Sequence, residues 1–144
     1  MAELRVGTCA QILQGTNTNL NVIVQVIDKT RISIDGVPLE SEEFRLTLSD
    51  SQYSLRVMLD SRINHVLSDL VDNGYLRIRA VVRREIYGMR VVVVTGAHVV
   101  PVEGEQAIVG DPQELDIDIG ATVVARWITN RTTDYWRRTW WHED

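Results

Sequence analysis

Five stretches within the first hundred residues carry the pattern of β-strands, and this constrains the fold more than any other feature. In four of them every second residue is apolar, along residues 20–27, 44–49, 55–59 and 76–83. The fifth, residues 89–94, is rich in β-branched side chains and follows Tyr87-Gly88, a pair that favours a turn. Because successive side chains of a strand point to opposite faces, one set is predicted to face a core. The arginines between them are then predicted to lie on the outer face.

Two segments have helical spacing instead. Apolar residues recur at helical intervals from Ser61 to Val71, with Asp60 or Ser61 as the N-cap and Asn73-Gly74 as the stop. A short first helix is predicted with Thr8 as its N-cap, ending at Gly15. Five strands with a helix between the third and fourth are typical of an OB-fold barrel, which closes its sheet. The predicted class is therefore all-β, with short helices.

Charge and composition divide the chain into three parts. The 144 residues carry a net charge of −5, yet residues 1–100 hold eleven basic and eleven acidic residues and are neutral. Nucleic-acid binding would therefore need a local basic patch. We predict a domain over residues 1–102, an acidic linker over 103–118 and an atypical or disordered tail over 119–144. The tail contains all four tryptophans, so either it binds something or it is not the natural ending.

Chemistry-bearing motifs are scarce. Cys9 is the single cysteine, so the chain cannot form an internal disulfide. We expect Cys9 to be a buried residue that packs in the core rather than a nucleophile. The three histidines, His65, His98 and His142, are scattered without metal-ligand spacing. The start of the chain has no secretory signal pattern, and no apolar run is long enough for a membrane helix. We expect a soluble intracellular protein that is not an enzyme, with no cofactor and no metal.

Several blocks resemble one family. They are Thr18-Asn19-Leu20, Gln25-Val26-Ile27, residues 44–50, Val57-Met58-Leu59 and residues 88–92. In this order and spacing, they are similar to the N-terminal OB domain of the large subunit of replication protein A, the eukaryotic single-strand DNA-binding complex. The resemblance runs from about Val6 to Val102. It implies a nuclear docking module whose basic cleft receives acidic amphipathic helices of replication, repair and checkpoint proteins. It also implies weak binding of single-stranded DNA, and contact with other subunits of that complex where the remaining domains are present.

The resemblance also implies cleft residues. Arg45 matches a cleft arginine of the family, Arg31 lies within one position of another, and Arg90 follows the turn glycine as a family arginine does. Met89 departs from the family pattern, which has a basic residue there, and the loop before Phe44 is unusually acidic. The remaining candidates for the partner- or DNA-binding cleft are Arg56, Arg83, Arg84 and Tyr87.

The sequence leaves two other interpretations open. In the first, the chain binds single-stranded DNA directly through the sheet arginines and the aromatic tail. In the second, it is a truncated product without an independent role. Stacking on single strands needs exposed aromatic side chains. Phe44 and Tyr53 are predicted to face the core, which favours docking. No membrane partner is expected.

Overall fold

The described part of the chain consists of six strands and two short helices. The computed structural model describes residues 4–32, 43–86 and 89–115. Helix α1 spans Thr8–Gln14, and a 3₁₀ helix spans Ser61–Asp69. The strands are β1 (Asn19–Ile32), β2 (Glu43–Ser49), β3 (Tyr53–Leu59), β4 (Tyr75–Ile86), β5 (Met89–Val100) and β6 (Gln113–Glu114). The predicted linker beyond residue 115 and the whole tryptophan-rich tail lie outside the described residues.

Five of the strands close into a barrel. The sheet runs β2-β1-β4-β5-β3, and an additional β2–β3 pairing joins its two ends. Strand β1 pairs with β4 from Asn19 to Gln25 and with β2 from Gln25 to Ile32, and a bulge between Val26 and Asp28 shifts the register of the second pairing. The parallel pairs Met58↔Val93 and Leu59↔Val94 join β3 to β5. This is the predicted OB-fold barrel, with the 3₁₀ helix between β3 and β4.

The core fills the barrel with the predicted inward set. The side chains of Val24, Leu46, Leu55 and Leu76 are all fully buried. Helix α1 packs against them and contributes Cys9, Ile12 and Leu13. The thiol of Cys9 lies 3.5 Å from the carbonyl oxygen of Tyr53. Cys9 is thus a buried packing residue.

Asp50 attaches α1 to the turn between β2 and β3. Its Oδ2 accepts hydrogen bonds from the backbone N–H groups of Gly7 and Cys9, at 3.0 and 3.1 Å. Its Oδ1 accepts from Gln52 and Tyr53, at 3.0 and 2.8 Å. The helix N-cap is Gly7, with φ 98°, and not Thr8 as predicted. A carboxylate from a distant loop serves this helix instead of a local cap.

The helix between β3 and β4 differs from its prediction in type. It is a 3₁₀ helix with non-helical backbone angles at Ile63, and it ends at Asp69. Asp60 caps it by accepting a hydrogen bond from the N–H of Arg62 at 3.0 Å. Burial raises the pKa of Asp60, but hydrogen bonds and the charge of Arg62 lower it more, so the pKa lies below its ordinary value of 3.8.

A bulge in β4 reverses the orientation that sequence alternation predicts. Pairing with β5 shifts at Ala80, between Ile78↔Ala97 and Val81↔Val94. Ile78 and Val81 both lie in the core, three residues apart, so the inward set moves by one residue. Val82 and Arg84 therefore face outward, and the prediction that Arg83 does so is wrong. Gly96 fits the bulge, because an added Cβ would lie 3.3 Å from the Cβ of Ala80.

The acidic stretch after β5 runs along the barrel. The Nε2 of Gln25 donates to the carbonyl oxygens of Asn73 and Ala107, at 2.9 and 2.8 Å, and its Oε1 accepts from Val109 N–H at 3.0 Å. Gln25 is fully buried. Residues 103–115 are thus attached to the barrel, although the domain boundary at residue 102 stays a prediction. None of the helices within the described ranges is long and apolar enough to cross a membrane.

Candidate functional site

One row of side chains crosses the outside of the barrel. In β2 and β3, alternate residues pack in or against the core: Phe44, Leu46, Val57 and Leu59. Their immediate neighbours in the two strands therefore face outward. The register then aligns five outward residues across five strands, and we call this set the outer row: Thr30, Arg45, Met58, Val93 and Val82.

The centre of the outer row is apolar and shielded from water. Met58 is fully buried and Val93 is 2% exposed, yet neither belongs to the core cluster inside the barrel. Val91, two residues before Val93 on the same face, is also fully buried. These three side chains form an apolar strip on β3 and β5. With so little exposed area, the strip can contact a ligand only after the groups that cover it move aside.

Arg45 lies beside this strip. It is half-buried, and its Nη2 donates a long hydrogen bond of 3.5 Å to the Oγ1 of Thr30. Thr30 in turn donates to Asp28 Oδ2 at 3.0 Å. The Nε of Arg45 is buried and has no hydrogen-bond partner in the described part of the chain. A buried donor of this kind costs stability until an acceptor reaches it, and a carboxylate is the acceptor that a guanidinium binds best.

Two further predicted arginines flank the row. Arg56 lies on the outer face of β3, two residues before Met58, and its Nη1 forms an ion pair with the Oε1 of Glu114. Arg84 is half-buried in β4 opposite Val91, which places it on the outer face beside the apolar strip. The structure thus brings Arg45, Arg56 and Arg84 to one side of the barrel.

The other predicted site residues lie elsewhere. Arg31 is in β1 and pairs with Phe44, so it is on the sheet face opposite to that of Arg45. Arg83 donates to the carbonyl oxygens of Ile12 and Asn17, both at 2.7 Å, and so closes the end of α1. Arg90 lies in β5 with its backbone opposite Glu85. Tyr87 lies outside the described residues.

The apolar half of this surface was not predicted from the sequence. Met58 stands at an outward position between the inward residues Val57 and Leu59, and that is the signal that finds it. The prediction that Tyr53 faces the core is also wrong: Tyr53 is 36% exposed. It lies beyond Ser49↔Ser54, the last β2–β3 pair, so strand β2 does not cover it.

The five residues of the outer row include no His, Cys, Asp or Glu, the side chains that most often bind metal ions. In residues 4–32, 43–86 and 89–115, no three His, Cys, Asp or Glu side chains converge to hold a metal ion. What the row offers is guanidinium groups beside an apolar strip. That combination suits a ligand with carboxylates on one side and apolar groups on the other.

Residues 4–102 match the family model described as replication factor-A protein 1, N-terminal domain. The chain belongs to this family. The resemblance seen in the sequence is therefore confirmed, and the family is one of DNA replication. None of the curated proteins matches the sequence significantly.

Two solved structures resemble the fold loosely. One is the solution structure of a hypothetical protein from Arabidopsis thaliana, with 14% identity and a TM-score of 0.48 over 83% of this chain and 86% of that one. The other is a putative aspartyl-tRNA synthetase from Leishmania major, with 9% identity and a TM-score of 0.42 over 90% of this chain and 30% of that one. Both TM-scores are below 0.5, which is too low to support a shared function.

Proposed function

We propose that this domain is a docking module of a replication protein A large subunit, and that its outer row binds acidic amphipathic segments of replication, repair and checkpoint proteins. The observation that carries the proposal is the buried Nε of Arg45, which has no hydrogen-bond partner among the described residues and lies beside the apolar strip of Met58, Val91 and Val93. A ligand carboxylate would supply the acceptor that the Nε of Arg45 lacks, and an apolar side chain of the same ligand would lie at the neighbouring strip. The proposed module is non-catalytic, needs no cofactor and acts in the nucleus.

Direct binding of single-stranded DNA is the weaker part of this function. Tight binding of single strands combines a basic groove with aromatic side chains on which bases stack. The outer row contains no aromatic residue, and among the described residues Tyr53 is the one exposed aromatic side chain. With residues 1–100 neutral, few phosphates can be paired with arginines. We therefore propose weak binding without sequence preference, and no role for stacking.

Charge reversal at Arg45 tests the docking proposal. The probe is a short synthetic helix with Asp and Glu on one face and Leu and Phe on the other, titrated by calorimetry. Arg45→Glu replaces a charge-assisted bond by repulsion and should weaken binding by about 2–4 kcal/mol, or roughly 30- to 900-fold. The matched control is Arg79→Glu, an exposed arginine on β4 that lies outside the outer row. It should leave the affinity within about twofold, since a remote exposed charge contributes little.

A melting curve of each variant separates binding from folding. Arg45 is half-buried, so Arg45→Glu is expected to cost up to about 1 kcal/mol of stability. If both variants bind the peptide like the wild type, Arg45 is not part of the site. If a labelled mixed-sequence oligonucleotide binds more tightly than the peptide at physiological salt, the chain is a DNA-binding module and the docking proposal fails.

A further inference from the structure

After completing the barrel, the chain returns to the edge of β3. Strand β6 pairs in parallel with the start of β3, through Tyr53↔Gln113 and Ser54↔Glu114. Leu115 N–H then donates to the carbonyl oxygen of Ser54 at 3.2 Å, and its side chain packs against the core. Because the pairing is parallel, the chain leaves Leu115 in the direction of Met58.

Among the described residues, the edge of β3 is unpaired for only a short distance beyond this point. Met58 lies four residues after Ser54, or about 13 Å further along the strand at about 3.3 Å per residue. There the same edge is taken by Val93 of β5. The barrel interior is filled by buried side chains such as Leu55 and Val57. A chain that follows this edge must therefore turn outward within about four residues, and the outer row lies beside that point.

The residues that follow Leu115 have the chemistry that the outer row accepts. Residues 116–119 read Asp-Ile-Asp-Ile, and residues 103–125 contain six acidic residues and no basic one. In an extended chain this alternation puts two carboxylates on one side and two isoleucines on the other. The ion pair of Glu114 with Arg56 already joins an acid of this stretch to an arginine beside the row.

We propose that residues 116–119 bind the outer row of their own chain as an intramolecular acidic ligand. The direction in which the chain leaves Leu115, its short distance from the row and its acidic residues all favour this segment over an unrelated ligand. As an extension that rests on the proposed docking function, external acidic segments must displace it. Their apparent affinity then equals their intrinsic affinity multiplied by the fraction of time that the row is unoccupied.

The test uses the full chain and the ε-methyl resonance of Met58. The sequence has three methionines, so selective methyl labelling gives few signals, and Met58→Leu assigns the one required. The double variant Asp116→Ser/Asp118→Ser removes both carboxylates of the segment. Its control, Glu103→Ser/Glu105→Ser, removes two exposed carboxylates from the same acidic stretch but not from this path. The rescue variant Asp116→Glu/Asp118→Glu keeps both charges.

The Met58 resonance is expected to move in the first variant, and to keep its wild-type position in the control and the rescue variant. The acidic amphipathic peptide should also bind the first variant about two- to tenfold more tightly, as expected if the row is occupied for half to nine-tenths of the time. An unchanged Met58 resonance in the first variant overturns the inference, even if the peptide binds as proposed. If the resonance moves but no variant binds the peptide, the intramolecular contact stands and the docking function fails.

Discussion

Removing the carboxylate of Asp50 should weaken the fold strongly, because this one side chain joins two separate parts of it. Asp50 is fully buried and accepts four backbone hydrogen bonds, two from the start of α1 and two from the β2–β3 turn. Asp50→Ala leaves all four N–H groups without this acceptor. The helix then loses its attachment to the barrel at the point where Cys9, Ile12 and Leu13 enter the core.

The size of the effect follows from how many of these groups can reach water. Gly7, Gln52 and Tyr53 are exposed residues, whose N–H groups are partly hydrated after the change, whereas Cys9 is fully buried. A buried donor left unsatisfied costs about 1–3 kcal/mol, and a lost bond to a charged group about 1.5–3 kcal/mol. Counting the Cys9 donor in full and the others in part gives about 3–5 kcal/mol. In a chain of this size that lowers the melting temperature by roughly 10–20 °C.

Thermal unfolding followed by far-UV circular dichroism measures this loss. Asp50→Asn is the informative second variant, because its single carbonyl oxygen can serve only one of the two pairs of donors, and it should lose about half as much. Asp72→Ala, which removes an exposed aspartate, should stay within about 0.5 kcal/mol of the wild type. A melting temperature for Asp50→Ala within about 5 °C of the wild type would refute the reasoning.

Two further predictions concern Asp60 and Gln25. The folded-state pKa of Asp60 is depressed, so its ionised form stabilises the fold above pH 3.8 and this stability is lost as the pH falls through the lower folded value. Urea unfolding at a series of pH values should show that loss in the wild type and not in Asp60→Asn. Gln25→Ala removes the bond donated to Asn73 and the two bonds, one donated to Ala107 and one accepted from Val109, that hold residues 107–109, and should cost about 2 kcal/mol. Limited proteolysis should then cut residues 103–112 faster than in the wild type, and equal rates would contradict the assigned role.

The sequence predicts those parts of the barrel that have a regular hydrophobic pattern within one strand or helix. Alternation finds four of the five barrel strands, because each buries one face and a two-residue period is the direct result, and the fifth is found from its β-branched side chains after a turn. The helix between β3 and β4 is found through its apolar spacing, but not its 3₁₀ type. The cap of α1 is missed altogether, since Asp50 lies 43 residues away from Gly7 along the chain.

Bulges explain why the site is predicted less completely than the fold. A bulge moves every later side chain to the other face, and it leaves no simple trace in a hydrophobic pattern. The bulge at Ala80 turns Arg83 towards α1 and brings Arg84 outward. The bulge after Val26 places Thr30, and not Arg31, beside Arg45. Arg45 and Arg56 lie in strands whose pairing has no such shift, so alternation places both of them correctly.

The charge around the outer row determines what kind of ligand suits it. Three arginines lie there, but Asp28, Glu114 and the buried Glu43 lie on the same side of the barrel. A surface with balanced charge attracts an acidic partner only weakly over long distances, so charge alone gives little affinity. The apolar strip of Met58, Val91 and Val93 adds little by further burial, because at 2% exposure or less it has almost no apolar area left to remove from water. Arg45 contributes orientation and selectivity, because the partner must place a carboxylate where a buried guanidinium nitrogen has no other acceptor among the described residues.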